Sequence, residues 1–233
     1  MPTESTGAQP LMGVSNGVDP ARWLRENLRV PAVCDVLDQL GIRHQAMHQR
    51  LRPLDESNCI IAGRARTIRW MDVDYDDDDP YGLEIEAMDS LGAGDVVVHS
   101  TDAVGTNAPW GELMTTAAKQ RGSVGCICDS NVRDCLQIKA LGFPVFCNGI
   151  RPLDSKGRGK VMAYDVPVRC GNVLVRPGDL IFSDFDGIVA IPRNVEKQIL
   201  SLAAEKLRTE SKSRSELLQG RTLREVYDKY GVL

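Results

Sequence analysis

An excess of positive charge is missing from this sequence: 28 Lys and Arg stand against 32 Asp and Glu, a formal net charge of −4. That balance argues against a protein that works by neutralising nucleic-acid or membrane phosphates, so an anionic partner needs a local basic site. No apolar run approaches the roughly 20 residues that span a bilayer. The start, MPTESTGAQPLMGVSNG, has neither the basic region nor the apolar core of an export signal. Cysteine pairs are lacking too. The seven Cys (34, 59, 126, 128, 135, 147 and 170) are odd in number and scattered, with no Cys-x-x-Cys motif. This excludes a disulfide framework and leaves free, buried thiols suited to a reducing compartment. These absences predict a cytoplasmic protein with no nucleic-acid or membrane partner, residues 1–18 forming a flexible start.

What is present is an ordinary supply of core: 42% of the 233 residues are hydrophobic, enough for one large domain or two small ones. Asp19-Pro20 reads as a cap with Pro at the first helical position. A second helix begins near Pro31, with Val33, Val36, Leu37 and Leu40 on one face and Gly41 as its stop. Residues 59–71, CIIAGRARTIRWM, read as strands interrupted by Gly63. The acidic run MDVDYDDDDPYG lacks the alternation and closing Glu of a calcium loop. It reads as a solvated loop leading into a helix near Leu83–Leu91.

The middle of the chain alternates. A strand, VVVHS, a loop and a helix, GELMTTAAKQRG, lead to a strand, VGCIC; then the loop DSNVRD and a short helix, CLQIKALG, lead to FPVFC. This predicts an α/β fold with a parallel βαβαβ unit. From Met162 to Pro192 the pattern is strand and turn, and Gly178-Asp179-Leu180-Ile181 echoes Gly94-Asp95-Val96-Val97. A charged helix from about Val195 to Leu218 and a short one over Leu223–Tyr230 complete the chain. The division expected is a flexible 1–18, one layered domain over 19–194 and a helical extension over 195–233.

Ligands of open parallel sheets bind at the carboxyl ends of the strands, where the two loops lie side by side. The first loop delivers a helix N-terminus at Gly111-Glu112-Leu113-Met114, whose free amides suit a carboxylate. The second delivers Arg133, able to grip a carboxylate with two hydrogen bonds, and Asp134, a hard oxygen ligand for a divalent cation. Together they suit a 2-oxo acid whose neighbouring carbon becomes acidic. Spacing alone does not decide this, since Arg-Asp pairs at such junctions are commonly a salt bridge and a cap.

The run Gly111-Glu112-Leu113-Met114, Arg121-Gly122-Ser123-Val124-Gly125, Asp129-Ser130-Asn131-Val132-Arg133-Asp134 and Leu141-Gly142-Phe143-Pro144-Val145-Phe146 resembles the RraA-like family. The likeness continues through Val175-Arg176-Pro177-Gly178-Asp179 and Asp184-Phe185-Asp186-Gly187, covering most of residues 30–195. That family includes 4-hydroxy-4-methyl-2-oxoglutarate aldolases and a regulator of ribonuclease E. The resemblance implies a swivelling β/β/α-type single domain, a homotrimer or hexamer, and a Mg2+- or Mn2+-dependent lyase that releases pyruvate from a small dicarboxylic 2-oxo acid and also decarboxylates oxaloacetate. Asp134 is then the metal ligand, Arg133 and Glu112 the catalytic pair, and Gly111, Leu113, Met114 and Arg133 the substrate contacts. One position departs: the aldolases carry an acid where this chain has Gln137, a loss of negative charge that weakens the outer shell of a metal site. The alternative is a non-catalytic protein-binding regulator of a ribonuclease. A methyltransferase is excluded, because no strand is followed by a Gly-rich turn and Gly92-Ala93-Gly94 precedes its strand.

Of the other candidates, His99 on an apolar strand reads as a packed core residue, and His44 and His48 as part of a surface turn. Cys126 and Cys128 point into the core, Asp184 and Asp186 cap a turn, and Arg151–Lys160 is a solvated loop. Glu205 or Glu210 of the long helix could complete a neighbouring subunit's site.

Overall fold

The computed structural model describes residues 19–101 and 106–231; the expectation for residues 1–18 lies outside them. Helices α1 (Pro20–Asn27) and α2 (Val30–Gln39) precede strands β1 (Arg52–Pro53) and β2 (Ile61–Asp72). Then follow α3 (Gly82–Asp89), β3 (Asp95–Ser100), α4 (Glu112–Gln120), β4 (Gly125–Val132), α5 (Cys135–Ala140) and β5 (Val145–Ile150). Strands β6 (Gly159–Tyr164), β7 (Val168–Cys170), β8 (Val173–Val175), β9 (Leu180–Asp184) and β10 (Gly187–Ile191) lead to helices α6 (Glu196–Leu218) and α7 (Leu223–Tyr230).

The main sheet runs β1-β5-β4-β3-β2-β9-β10, with β6 also paired to β2. Strands β2, β3, β4 and β5 are parallel neighbours in sequence order. The parallel unit therefore extends one βα step further toward the N-terminus than the sequence pattern predicts. Side-chain alternation sorts the core into layers. Val96, Val98, Ile127 and Ile181 face the small β7–β8 hairpin through Val168, Cys170, Val173 and Val175. Val97, Cys126 and Cys128 face α3, α4 and α5 through Ala87, Met88, Ala118 and Ile138. On that same helical face, Ala62, Leu180, Phe182 and Val189 bury against α1, α2 and α6, including Leu24, Val33, Leu37 and Ile199. The result is the β/β/α layering expected of the fold, a mixed α/β single domain. No described helix is long and apolar enough to cross a membrane.

Two expectations change. Gly63 does not interrupt a strand, for β2 runs unbroken from Ile61 to Asp72; a Cβ there would lie 2.3 Å from the Gly94 carbonyl oxygen. Glycine serves close approach of chains at this point, not a break. The segment Asp129–Val132 is likewise strand, not loop, because β4 continues past a register irregularity between Cys128 and Asn131. The echoed Gly-Asp turns prove to be equivalent. Both flank β2 at Arg64, which pairs with Asp95 on one side and Leu180 on the other. Gly94 and Gly178 each have φ +82°, and Asp95 and Asp179 each accept from the amide three residues back, at 2.8 Å.

Asp184 does what a capping residue should: it accepts from the α2 amide of Val30 at 2.8 Å and from Asp186 in its own turn at 2.9 Å. His99 is buried between Trp70 and Trp110, ring centroids 5.6 and 5.4 Å away. Burial pushes its imidazole down from 6.5 to about 3, so the ring is neutral in the fold and the unfolded chain binds the extra proton. Stability from this residue is present above 6.5 and is lost as pH falls toward 3. The variant His99→Leu is therefore expected to show a flatter melting temperature than the parent across that acid window; parallel curves would contradict it.

Candidate active site

The β3 and β4 loops meet through Trp110, which bridges Val132 and whose carbonyl accepts from the Arg133 amide at 2.9 Å. This tie sets the N-terminus of α4 against the Arg133-Asp134 corner. Together they line a cavity of about 320 Å³ with Gly111, Glu112, Leu113, Met114, Arg133 and Asp134 on its wall. Every residue expected at the site from sequence is thus brought to one cavity, of a size at the small end of ligand pockets.

Asp134 is the N-cap of α5 yet makes no capping bond, because its backbone is left-handed, φ 56° and ψ 40°, where a capping residue is extended. Its side chain turns instead toward α4. Oδ2 accepts from the Glu112 amide at 3.2 Å and lies 3.8 Å from Arg133 Nε. Gly111 makes room for this contact, since a Cβ there would stand 2.7 Å from Asp134 Oδ2 and 3.1 Å from Arg133 Cγ. Those atoms belong to side chains that can swing, so Gly111→Ala is expected to fold. The displaced carboxylate should cost about 10² in turnover, as an ångström of misplacement does. Unchanged kcat/KM with an unchanged melting curve would show that the close approach is irrelevant.

The α4 amides of Leu113 and Met114 have no acceptor among the described residues, the free donors that an anion-binding helix end offers. Glu112 lines the cavity wall. Its Oε1 accepts from the Thr116 hydroxyl at 3.2 Å along its own helix, and it is the Glu112 amide that reaches Asp134. Glu205 and Glu210 lie on α6, away from this wall, and Glu210 is 3.2 Å from Lys206.

Three further ionisable residues line the cavity: Tyr81, Glu84 and Asp154. Asp154 sits in the segment read from sequence as a solvated loop. One of its oxygens lies 3.2 Å from Arg133 Nη2, and the other accepts from the Tyr81 hydroxyl. Burial alone would raise the Asp154 carboxyl, but the Tyr81 hydroxyl, Arg133 and the Ser155 and Lys156 amides outweigh it and hold it below the usual carboxylate range. The same bond pushes Tyr81 up to about 12. Glu84, at 3% exposure, is pushed up to about 8 by burial first and by Asp154 second, against the pull of Arg133. All three are distant in sequence from both site loops, so no local spacing marks them. The one available hint was Asp154 in an otherwise basic stretch.

A metal is compatible with this wall. Among the described residues no group of three His, Cys, Asp or Glu side chains is placed to enclose an ion. A magnesium-type ion needs no such cage, as it usually keeps several waters and takes one or two carboxylates plus substrate oxygens. Asp134, a half-exposed carboxylate on the cavity wall, suits that mode.

Residues 30–190 match the family described as RraA-like, Aldolase/RraA. The chain belongs to the RraA-like family. Among its RraA-like relatives is a Halalkalibacterium halodurans protein provisionally named a 4-hydroxy-4-methyl-2-oxoglutarate aldolase, 34% identical over 76% of this chain and 80% of that one. An uncharacterised protein of Methanocaldococcus jannaschii is 31% identical over 90% of this chain and 94% of its own length. The crystal structure of Streptomyces coelicolor RraAS2, described as an unusual member of the RNase ES inhibitor RraA protein family, superimposes with a TM-score of 0.74. It has 28% identity and covers 84% of this chain and 95% of that one.

Proposed function

We propose that this RraA-like protein is a divalent-metal-dependent lyase that cleaves a carbon–carbon bond in a small 2-oxo acid carrying a second carboxylate, releasing pyruvate. The observation that carries the reading is the convergence of Arg133, Asp134 and the free α4 amides on one cavity of about 320 Å³. Arg133 would hold the carboxylate and keto end, its guanidinium aimed by Asp154. The Leu113 and Met114 amides would hold the pyruvyl carboxylate. Asp134 would hold Mg2+ or Mn2+, which supplies Lewis-acid polarisation of the keto oxygen when bound. The cavity is walled on the outside by Leu113, 75% exposed, and Ile85, 53% exposed; a neighbouring subunit of a homotrimer or hexamer would cover them.

The test is pyruvate release from 4-hydroxy-4-methyl-2-oxoglutarate and from oxaloacetate, with magnesium and with a chelator. Turnover that needs the metal supports the lyase. No turnover of either substrate, or turnover indifferent to chelation, overturns it. A regulator that binds a ribonuclease has no use for a carboxylate and an arginine inside a cavity; co-purification with a ribonuclease, undisturbed by Asp134→Ala, would favour that reading.

A further inference from the structure

We infer that Glu84 is the acid–base group that returns a proton to the substrate carbon after cleavage, an inference that rests on the lyase reading above. Glu84 lies in the first turn of α3 and is almost wholly enclosed, yet its side chain lines the same cavity as Arg133 and Asp134. Its Oε2 is buried and has no hydrogen-bond partner among the described residues. A carboxyl kept for structure would be paired, since an enclosed polar atom without a partner forfeits its hydration and gains nothing in exchange. The cation that could have paired with it, Arg133, is taken by Asp154.

The other acids of the cavity are committed elsewhere. Asp134 accepts from the Glu112 amide, Asp154 accepts from Tyr81, and Glu112 accepts from Thr116. Glu84 is therefore the acid of this wall whose oxygen awaits a ligand, and its enclosure favours the protonated form near neutral pH.

The chemistry needs such a group. As the substrate hydroxyl gives up its proton to water, its oxygen forms the carbonyl of the second product and the carbon–carbon bond breaks, leaving the electron pair on the carbon next to the keto group, as the enolate of pyruvate. The Glu84 O–H bond breaks as a new C–H bond forms at that carbon, giving pyruvate and leaving Glu84 as a carboxylate. Water then restores its proton. In reverse, the carboxylate removes a proton from the methyl group of pyruvate, so pyruvate alone in heavy water should exchange its methyl hydrogens for deuterium.

The experiment follows the pyruvate methyl signal by proton NMR in D2O with magnesium, for the parent, Glu84→Gln and Glu84→Asp. Oxalate, a mimic of the enolate, is titrated by calorimetry into each. The parent should exchange; E84Q, isosteric with the protonated acid, should be slower by at least about 10², with E84D between them and oxalate affinity within a few-fold of the parent. Exchange in E84Q at the parent rate overturns the role of Glu84, as does loss of oxalate binding together with exchange, which would make Glu84 a builder of the pocket. A parent that cleaves both substrates while E84Q exchanges freely leaves the lyase reading standing without Glu84. A parent that neither exchanges nor cleaves overturns both.

Discussion

Replacing Asp134 with Asn is expected to leave the fold intact and remove metal-dependent pyruvate release by about three orders of magnitude. The expected loss follows from the Lewis-acid contribution, several kcal/mol of stabilisation at about 1.4 kcal/mol per tenfold. The retained fold follows from the backbone. Among the described residues Asp134 is one of three non-glycine residues with positive φ, at 56°, a conformation that Asn tolerates as well as Asp does. The hydrogen bond that its side chain accepts, from the Glu112 amide at 3.2 Å, can be accepted by the Asn carbonyl oxygen. The melting temperature should thus move by no more than about 4 °C, the equivalent of about 1 kcal/mol at this size. Left-handed non-glycine residues gather at functional sites. Here the left-handed backbone withdraws the carboxylate from capping its own helix and presents it to the neighbouring loop. Undiminished turnover in D134N, still abolished by chelator, would move the metal to another residue.

The largest expected effect on stability comes from Gly63→Ala. Its new Cβ would stand 2.3 Å from the Gly94 carbonyl oxygen, 2.8 Å from Val124 Cγ2 and 2.9 Å from Val96 Cγ2. The first of these is backbone, in the turn that enters β3, and the two methyl groups sit on packed valines, so no flexible end can yield. Overpacking of this kind costs about 3 kcal/mol or somewhat more, which for a chain of this size lowers the melting temperature by about 6–12 °C. Gly111→Ala should behave in the opposite way: there the obstructing atoms are side-chain ends, so activity suffers while stability holds. A melting curve of G63A within 2 °C of the parent, a shift too small for about 1 kcal/mol, would mean that β2 and the Gly94 turn can slide apart freely.

Much of this molecule is written locally. Asp19-Pro20 starts α1, and the spacing of Val33, Val36 and Leu37 marks the buried face of α2. The Thr222–Glu225 capping box opens α7, and Gly220 follows the end of α6. Such features depend on residues three or four apart, so periodicity and caps report them directly. The two loops that form the cavity were legible for the same reason: each follows a strand of regular alternation and precedes a helix of regular spacing. Less legible were the strand ends. Asp129-Ser130-Asn131 looks like a loop by composition, yet it continues β4, because Asp129 is buried against Arg50, Asn148 and the Gly171 amide. Those partners supply what its polar side chain needs in the interior.

By itself, then, the sequence determined the order of helices and strands, the parallel core, the faces that bury and the placing of Gly111–Met114 beside Arg133-Asp134. Tertiary structure alone decided that β2 is the strand against which both Gly-Asp turns close, and that Asp154 and Tyr81 clamp Arg133 while Glu84 is left enclosed without a partner. The physical reason is reach. Hydrogen bonding within a helix or along a strand is set by near neighbours, whereas the charge that a buried carboxyl meets depends on which distant segments the packed layers bring to its side.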